Sequence, residues 1–340
     1  MAVPAGVGGG PYHQGVSTTG SSPLPPELNP AQQEVVDLLG ASRDERPTFD
    51  PGLRDELLAE LEEGLAEIGR ELDPEKPLWV SKRDLANVHT CQMGHLAGKD
   101  AGFSWSSVTA RGTVAHKAIE LSIHWRGEPD PIDMIDEAMA RLANGSDGLA
   151  DWLQTCGEAE RAELRAVANE KVVTFLECFP PLKSRWVPVT EGRLRANLLG
   201  GRIVLAGRTD LSLGRSVGTT AGKVIVDLKT GGHSPSHLDD LRFYALVETL
   251  RLGTPPRLLA SYYLDAGRAH PEAVTVGLLQ AAVARTVDGA RLLHDLEVGA
   301  VEPQVRPGRM CRWCPVLDTC GAGRAHLGEE PLDTDPTDVG

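Results

Sequence analysis

RIVLAGRTDLSLG at residues 202–214 and KVIVDLKTG at residues 223–231 are the stretches on which the fold turns. Both are β-branched runs, and the Gly-rich GRSVGTTAG between them predicts an antiparallel hairpin. Asp210 lies near the end of the first strand, and Asp227 and Lys229 near the end of the second. Residues two apart on a strand share a face, so Asp227 and Lys229 project together, and hairpin pairing brings Asp210 beside them to within a residue or so of register. Two carboxylates converging on one point suit a hard cation such as Mg²⁺. A lysine beside it suits positioning of a water or stabilisation of charge developing on phosphorus. Two like charges at close quarters repel, so either carboxylate is expected to be removable with the fold largely intact.

Outward from the hairpin, the reading is mixed. Ser107 to Trp125 and stretches through Pro131 to Phe179 read as helical on the N-terminal side. On the C-terminal side, Ser234 and Pro235 suit the start of a helix and Gly253 its end. RLLASYYLD then reads as a strand and Leu278 to Leu296 as a helix. Strands flanked by helices on a mixed sheet make an α/β (mixed) core.

Residues 1–51, rich in Gly, Pro, Ser and Thr, read as a disordered arm. Residues 52–78 hold an amphipathic helix, with Leu53, Leu57, Leu61, Leu65 and Ile68 at helical spacing, and a linker after Asp73 and Pro74. Residues 79–325 form the main domain, and residues 326–340 an acidic tail.

The net charge of -14 excludes a protein that coats nucleic acid by bulk charge. It leaves room for a local basic groove. Between Ser81 and Arg126 the residues Lys82, Arg83, Lys99, Arg111, Lys117 and Arg126 outnumber Asp84, Asp100 and Glu120. No run approaches the ~18 apolar residues of a membrane span, and the chain is expected to be cytoplasmic. MGHLAGKD at 93–100 lacks the spacing of a phosphate-binding motor loop, so unwinding would fall to a separate helicase partner.

Cys311, Cys314 and Cys320 form C-x₂-C-x₅-C within RPGRMCRWCPVLDTC. Zinc sites and iron-sulfur clusters both commonly take four protein ligands, so a fourth should come from Cys91, Cys156, Cys178 or a histidine.

The order of RGTVAH (ending at His116), GRTD (Asp210), VDLKTG (Asp227, Lys229) and DLRFYAL (Tyr244) resembles the RecB-type branch of the PD-(D/E)XK nuclease superfamily. SKRDLANVHTC places Cys91 upstream of that histidine, as in the iron-sulfur forms, the CRISPR-associated exonucleases and AddB-type nuclease domains. The resemblance spans about Trp79 to Ala325. It implies a PD-(D/E)XK nuclease core, a central mixed sheet flanked by helices, with a cluster joining N- and C-terminal segments. The implied activity is metal-dependent hydrolysis of DNA, single-stranded or with a free end, by an exonuclease of DNA repair, recombination or defence. His116, Asp210 and Asp227 would hold Mg²⁺ or Mn²⁺, with Val226 or Leu228 offering a carbonyl. Lys229 would be the catalytic lysine, assisted by Tyr244. Cys91, Cys311, Cys314 and Cys320 would hold 4Fe-4S, with a structural Zn²⁺ on the same thiolates, or with His95 for Cys91, as the alternative. Cys156 and Cys178 are left as buried apolar residues.

Gly112, four residues before His116, would admit a neighbouring backbone. One position departs from the family: Asp240 stands where its Gln-x-x-x-Tyr motif has glutamine, and an ionised acid cannot donate as an amide does. That departure keeps alive the alternative of a non-catalytic nucleic-acid-binding or assembly subunit with the same fold.

Overall fold

The chain is seen in a computed structural model that describes residues 27–101, 104–125, 127–234 and 236–329. Its N-terminal part carries helices α1 (Pro30–Leu39) and α2 (Leu53–Glu71), strand β1 (Leu78–Val80), and helices α3 (Lys82–Thr90), α4 (Gln92–Asp100) and α5 (Ser107–Ser122). Helices α6 (Pro131–Ala143), α7 (Gly148–Thr155) and α8 (Glu158–Cys178) follow, and then strands β2 (Val189–Leu198), β3 (Ile203–Leu213) and β4 (Val224–Lys229). Helix α9 (Ser236–Leu252), strands β5 (Leu258–Tyr263) and β6 (Arg268–Ala273), and helices α10 (Val276–Glu297) and α11 (Gly321–Glu329) complete it.

The strands form one mixed sheet in the order β1-β3-β4-β5-β6, with β2 also on β3. β3 organises it. β2 runs antiparallel along one edge, from Leu198↔Ile203 to Val189↔Ser212. The other edge is shared, because β1 pairs in parallel with Ile203–Leu205 and β4 antiparallel with Leu211–Leu213. Among the described residues, Ala206–Asp210 therefore has no strand partner on that edge, and the gap holds the candidate site.

Helices cover both faces of the sheet. Val224, Val226 and Leu228 of β4 face the layer built from α1 and α5 to α8, whereas Ile225 faces the layer of α2, α3, α9 and α10. A strand buried on both faces reads as a nearly continuous apolar run, which is why KVIVDL alternates so little. Asp227 is the exception, a carboxylate only 2% exposed in the middle of that run.

The expected hairpin is β3–β4, and α2, α5, α9 and α10 lie where the periodicity puts them. Gly253 ends α9 at φ +84, a left-handed conformation that glycine takes without cost. Pro235, residues 1–26 of the expected arm and 330–340 of the expected tail lie outside the described residues.

Other elements differ from expectation. The arm contains α1, capped by a reciprocal Asn29–Gln32 box with Pro30 at its first turn, and buries Val35 and Leu39. Residues 326–329 of the tail complete α11. β1, β2 and β6 escape the hydrophobic pattern. β1 has three residues, β2 reads VTEGRLRANL with charges on its open face, and β6 carries Pro271 as an edge strand can. The division at residue 78 is not a break in packing, since Leu57, Leu61 and Leu65 of α2 share one core with β1, β3, α9 and α10. Cys156 and Cys178 are partly exposed rather than buried. Among the described residues, no helix is long and apolar enough to cross a membrane.

Leu61 is fully buried in that shared core. Leu61→Ala should therefore cost about 2–5 kcal/mol of unfolding free energy in urea titration. A loss under about 0.5 kcal/mol would mean that α2 is a detachable appendage.

Candidate active site

The β3–β4 ladder ends at Leu211↔Val226. Asp210 and Asp227 are the next positions, where the strands part. With no ladder bond to make, the Asp210 side chain takes the place of a strand neighbour: its Oδ2 accepts the Leu228 amide at 2.7 Å. Its Oδ1 meets His116 Nδ1 on α5 at 3.4 Å. Burial opposes a charge on His116, but the Asp210 carboxylate outweighs it and raises the imidazole pKa. His116 Nε2 is buried with no hydrogen-bond partner.

Strand parity puts Asp227 and Lys229 on the α9 side. Lys229 Nζ stands 2.6 Å from Asp227 Oδ2 and 3.2 Å from Asp240 Oδ2. Asp240 thus accepts from the lysine, as a glutamine carbonyl could, and the substitution keeps that half of the amide's capacity. Burial raises the Asp240 pKa against the pull of Lys82 and Lys229.

Lys82, 145 residues earlier, closes the group with its Nζ 2.9 Å from Asp227 Oδ1. The sequence offered it only as one basic residue among several; its position directly after β1 and the Ser81 cap aims it into the gap on β3. Burial opposes its charge, but Asp227, Tyr244, Asp240 and Asp210 together outweigh it, so its pKa is raised. The Lys82 ammonium lies 4.8 Å above the Tyr244 ring, which in turn packs on Gly207. A Cβ at position 207 would overlap Tyr244 Cε1, so the glycine of GRTD is there to seat the tyrosine.

Around an open cavity of about 520 Å³, His116, Asp210 and Lys229 are joined by Thr113, Lys117 and Glu191. Glu191 is a residue that sequence reasoning missed. Its φ of 52 interrupts the β2 ladder opposite Asp210, and burial raises its pKa although Arg208 pulls the other way. Gly112 faces a side chain instead of the expected backbone, since a Cβ there would stand 3.0 Å from Thr230 Oγ1.

The four cysteines at 91, 311, 314 and 320 line one small cavity, and His95 does not. Gly308 and Gly323 amides donate to the Cys311 and Cys320 sulfurs at 3.4 and 3.3 Å. Backbone and side-chain hydrogen bonds also tie the two segments together. Met93 N donates to Gln304 O at 3.3 Å, and Gln304 N to Gln92 Oε1 at 2.9 Å. Among the described residues, no three His, Cys, Asp or Glu side chains close to the spacing of a single bound ion. Asp227 explains this at the carboxylates, since both its oxygens are drawn to lysines.

The paired lysines also revise the expectation of mutual carboxylate repulsion. Burial opposes the Asp227 charge, yet Lys82 and Lys229 hold its pKa below the usual carboxylate value.

The sequence pattern of the PD-(D/E)XK nuclease superfamily matches residues 80–321. No curated protein matches the chain. Among solved structures, the chain is similar to a candidate exonuclease from Eubacterium rectale at 13% identity, over 76% of this chain and 90% of that one, with a TM-score of 0.44. It is similar to SSO0001 at 15% identity, over 63% of this chain and 97% of that one, with a TM-score of 0.29.

Removing Asp227 leaves two lysines facing each other in a nearly dry site, whereas removing Asp210 frees one amide and one imidazole. Asp227→Ala should lose about 3–5 kcal/mol in denaturant titration and Asp210→Ala about 1–3 kcal/mol. Equal losses would show that the lysines do not depend on Asp227.

Proposed function

The chain belongs to the PD-(D/E)XK nuclease superfamily, and from that premise we propose that it is a metal-dependent deoxyribonuclease of the RecB type. We assign it to exonucleolytic hydrolysis of DNA with a free end, in repair, recombination or defence. One observation carries the reading: Asp210 and Asp227 occupy facing positions just past the last β3–β4 pair, with Lys229 two residues on and His116 against Asp210.

His116, Asp210 and Asp227 would hold the cation, an oxygen-rich set suited to Mg²⁺ whose imidazole also suits Mn²⁺. The orphaned His116 Nε2 supports that fit. When bound, the cation polarises a phosphodiester oxygen and makes water nucleophilic. Lys229, steadied between Asp227 and Asp240, supplies positive charge where the pentavalent phosphorus accumulates negative charge. Lys82 neutralises Asp227 and shares it with any cation that enters. Tyr244 supports Lys82 from below instead of reaching the cavity.

The thiolates of Cys91, Cys311, Cys314 and Cys320 would hold a 4Fe-4S cluster. When bound, it cross-links the start of α4 to the segment before α11, a structural role.

Lys229→Ala should still bind end-labelled DNA but cleave it at least 10²-fold more slowly with Mg²⁺ or Mn²⁺, because the loss falls on the transition state. Wild-type protein that binds DNA and cleaves none with either metal would replace the enzyme by a binding subunit.

Protein purified without oxygen should be brown and contain iron and acid-labile sulfide. Substitution of any of the four cysteines should remove both, and Cys156→Ala or Cys178→Ala should remove neither. Stoichiometric zinc without sulfide would overturn the cluster.

A further inference from the structure

At the other end of β4 from Asp227 the structure holds a second cavity, of about 410 Å³. That size lies within the roughly 300–1,000 Å³ of small-molecule sites. Its floor is the sheet where Val224 begins β4, and its apolar wall is made by Val35 and Leu39 of α1 with Phe179 and Trp186. Its polar groups are of one kind. Arg43, Arg46, Arg185, Arg215 and Arg257 line it, and no acidic side chain does, in a chain of net charge -14.

The two inner arginines lack the partners that buried guanidiniums normally have. The Nε atoms of Arg46 and Arg257 are both shut off from solvent with no hydrogen-bond partner. Burial and the nearby Arg46 charge lower the Arg257 pKa, against a weaker pull from Glu45. Glu45 itself is exposed and accepts the Ser42 amide at 2.8 Å. An Nη of Arg257 donates to the Leu39 carbonyl, which neutralises no charge.

The cavity is built, not incidental. Phe49 N donates to Thr219 O at 3.0 Å and Ala221 N to Pro47 O at 2.9 Å, so the loop carrying Arg43 and Arg46 is fastened to the loop carrying Arg215. Arg257 N donates to Lys223 O at 2.8 Å, which fixes that arginine to the sheet. Gly222 makes room for the arrangement, since a Cβ there would overlap Arg215 O and stand 3.1 Å from Arg46 Nη1.

Arg46 and Arg257, half-buried side by side with the exposed Arg43, Arg185 and Arg215 around them and no carboxylate in the cavity lining, suit an anion, and guanidinium forks match phosphate oxygens bidentately. Five of them exceed the need of a single carboxylate. The apolar wall with its two aromatic rings calls for a flat or greasy body on the same molecule. We propose that this cavity binds a nucleoside phosphate, its phosphate on Arg46 and Arg257 and its base against Phe179, Trp186 and Val224. The site is independent of whether the carboxylates at the far end of β4 hydrolyse anything.

Titration calorimetry on the full chain tests this with dAMP and ADP, and with inorganic phosphate and deoxyadenosine as comparison ligands. One or both nucleotides should bind at one site per chain, at least tenfold more tightly than either comparison ligand. Arg46→Gln and Arg215→Gln should each weaken binding at least threefold while leaving the thermal midpoint of the free protein unchanged. Arg257→Gln should weaken it at least tenfold. Ala41→Trp, which fills the cavity without removing an arginine, should abolish binding, and Arg54→Gln on α2 should leave it as in wild type. No heat with either nucleotide at millimolar concentration would overturn the proposal. So would phosphate binding as tightly as the nucleotides, or nucleotide binding that survives Ala41→Trp.

Discussion

The candidate site depends on a ladder that stops three residues before β4 ends. β1 pairs only to Leu205 and β4 only from Leu211, so Ala206–Asp210 lies unpaired on that edge between them, and Asp210, Asp227 and Lys82 gather at that opening. Asp210 fills part of it by taking the Leu228 amide, which satisfies a backbone donor that a complete sheet would have paired. Lys82 fills another part, because the chain leaving β1 must turn there into α3.

The lysines then determine what Asp227 can be. A carboxylate buried this deeply would ordinarily take up a proton, but two ammonium groups within 3 Å keep it ionised. Asp210 pairs with His116 beside it, so the charged site is held together by internal ion pairs. Lys82 and Lys229 thus leave Asp227 charged but neutralised by its neighbours. The supporting tyrosine and the Gly207 beneath it show how little space the design leaves, since a single methyl group there would displace the ring.

The sheet also separates two chemistries. Within four residues, β4 passes from a cavity lined by arginines at Val224 to a cluster led by carboxylates at Asp227. Neither end is visible in the net charge, which averages over both. Helices on the two faces keep the strand between them buried.

What the sequence determined by itself was local. Strand parity placed Asp227 and Lys229 on one face, helical spacing placed Asp240 over Tyr244, and the order of His116, Asp210, Asp227 and Lys229 carried the family resemblance that the superfamily match on residues 80–321 bears out. Short-range periodicity records which way a side chain points, and those readings needed nothing else. Only the tertiary structure decided what those side chains meet. Lys82 reaches Asp227 across 145 residues, Asp240 turns out to be an acceptor for Lys229, Glu191 lines the cavity from β2 opposite Asp210, and α1 assembles from a stretch that reads as a disordered arm. Arg46 and Arg257, separated by most of the chain, share one cavity. Such encounters leave no periodic trace, because they are set by how the layers close over the sheet and not by the repeat of any one element.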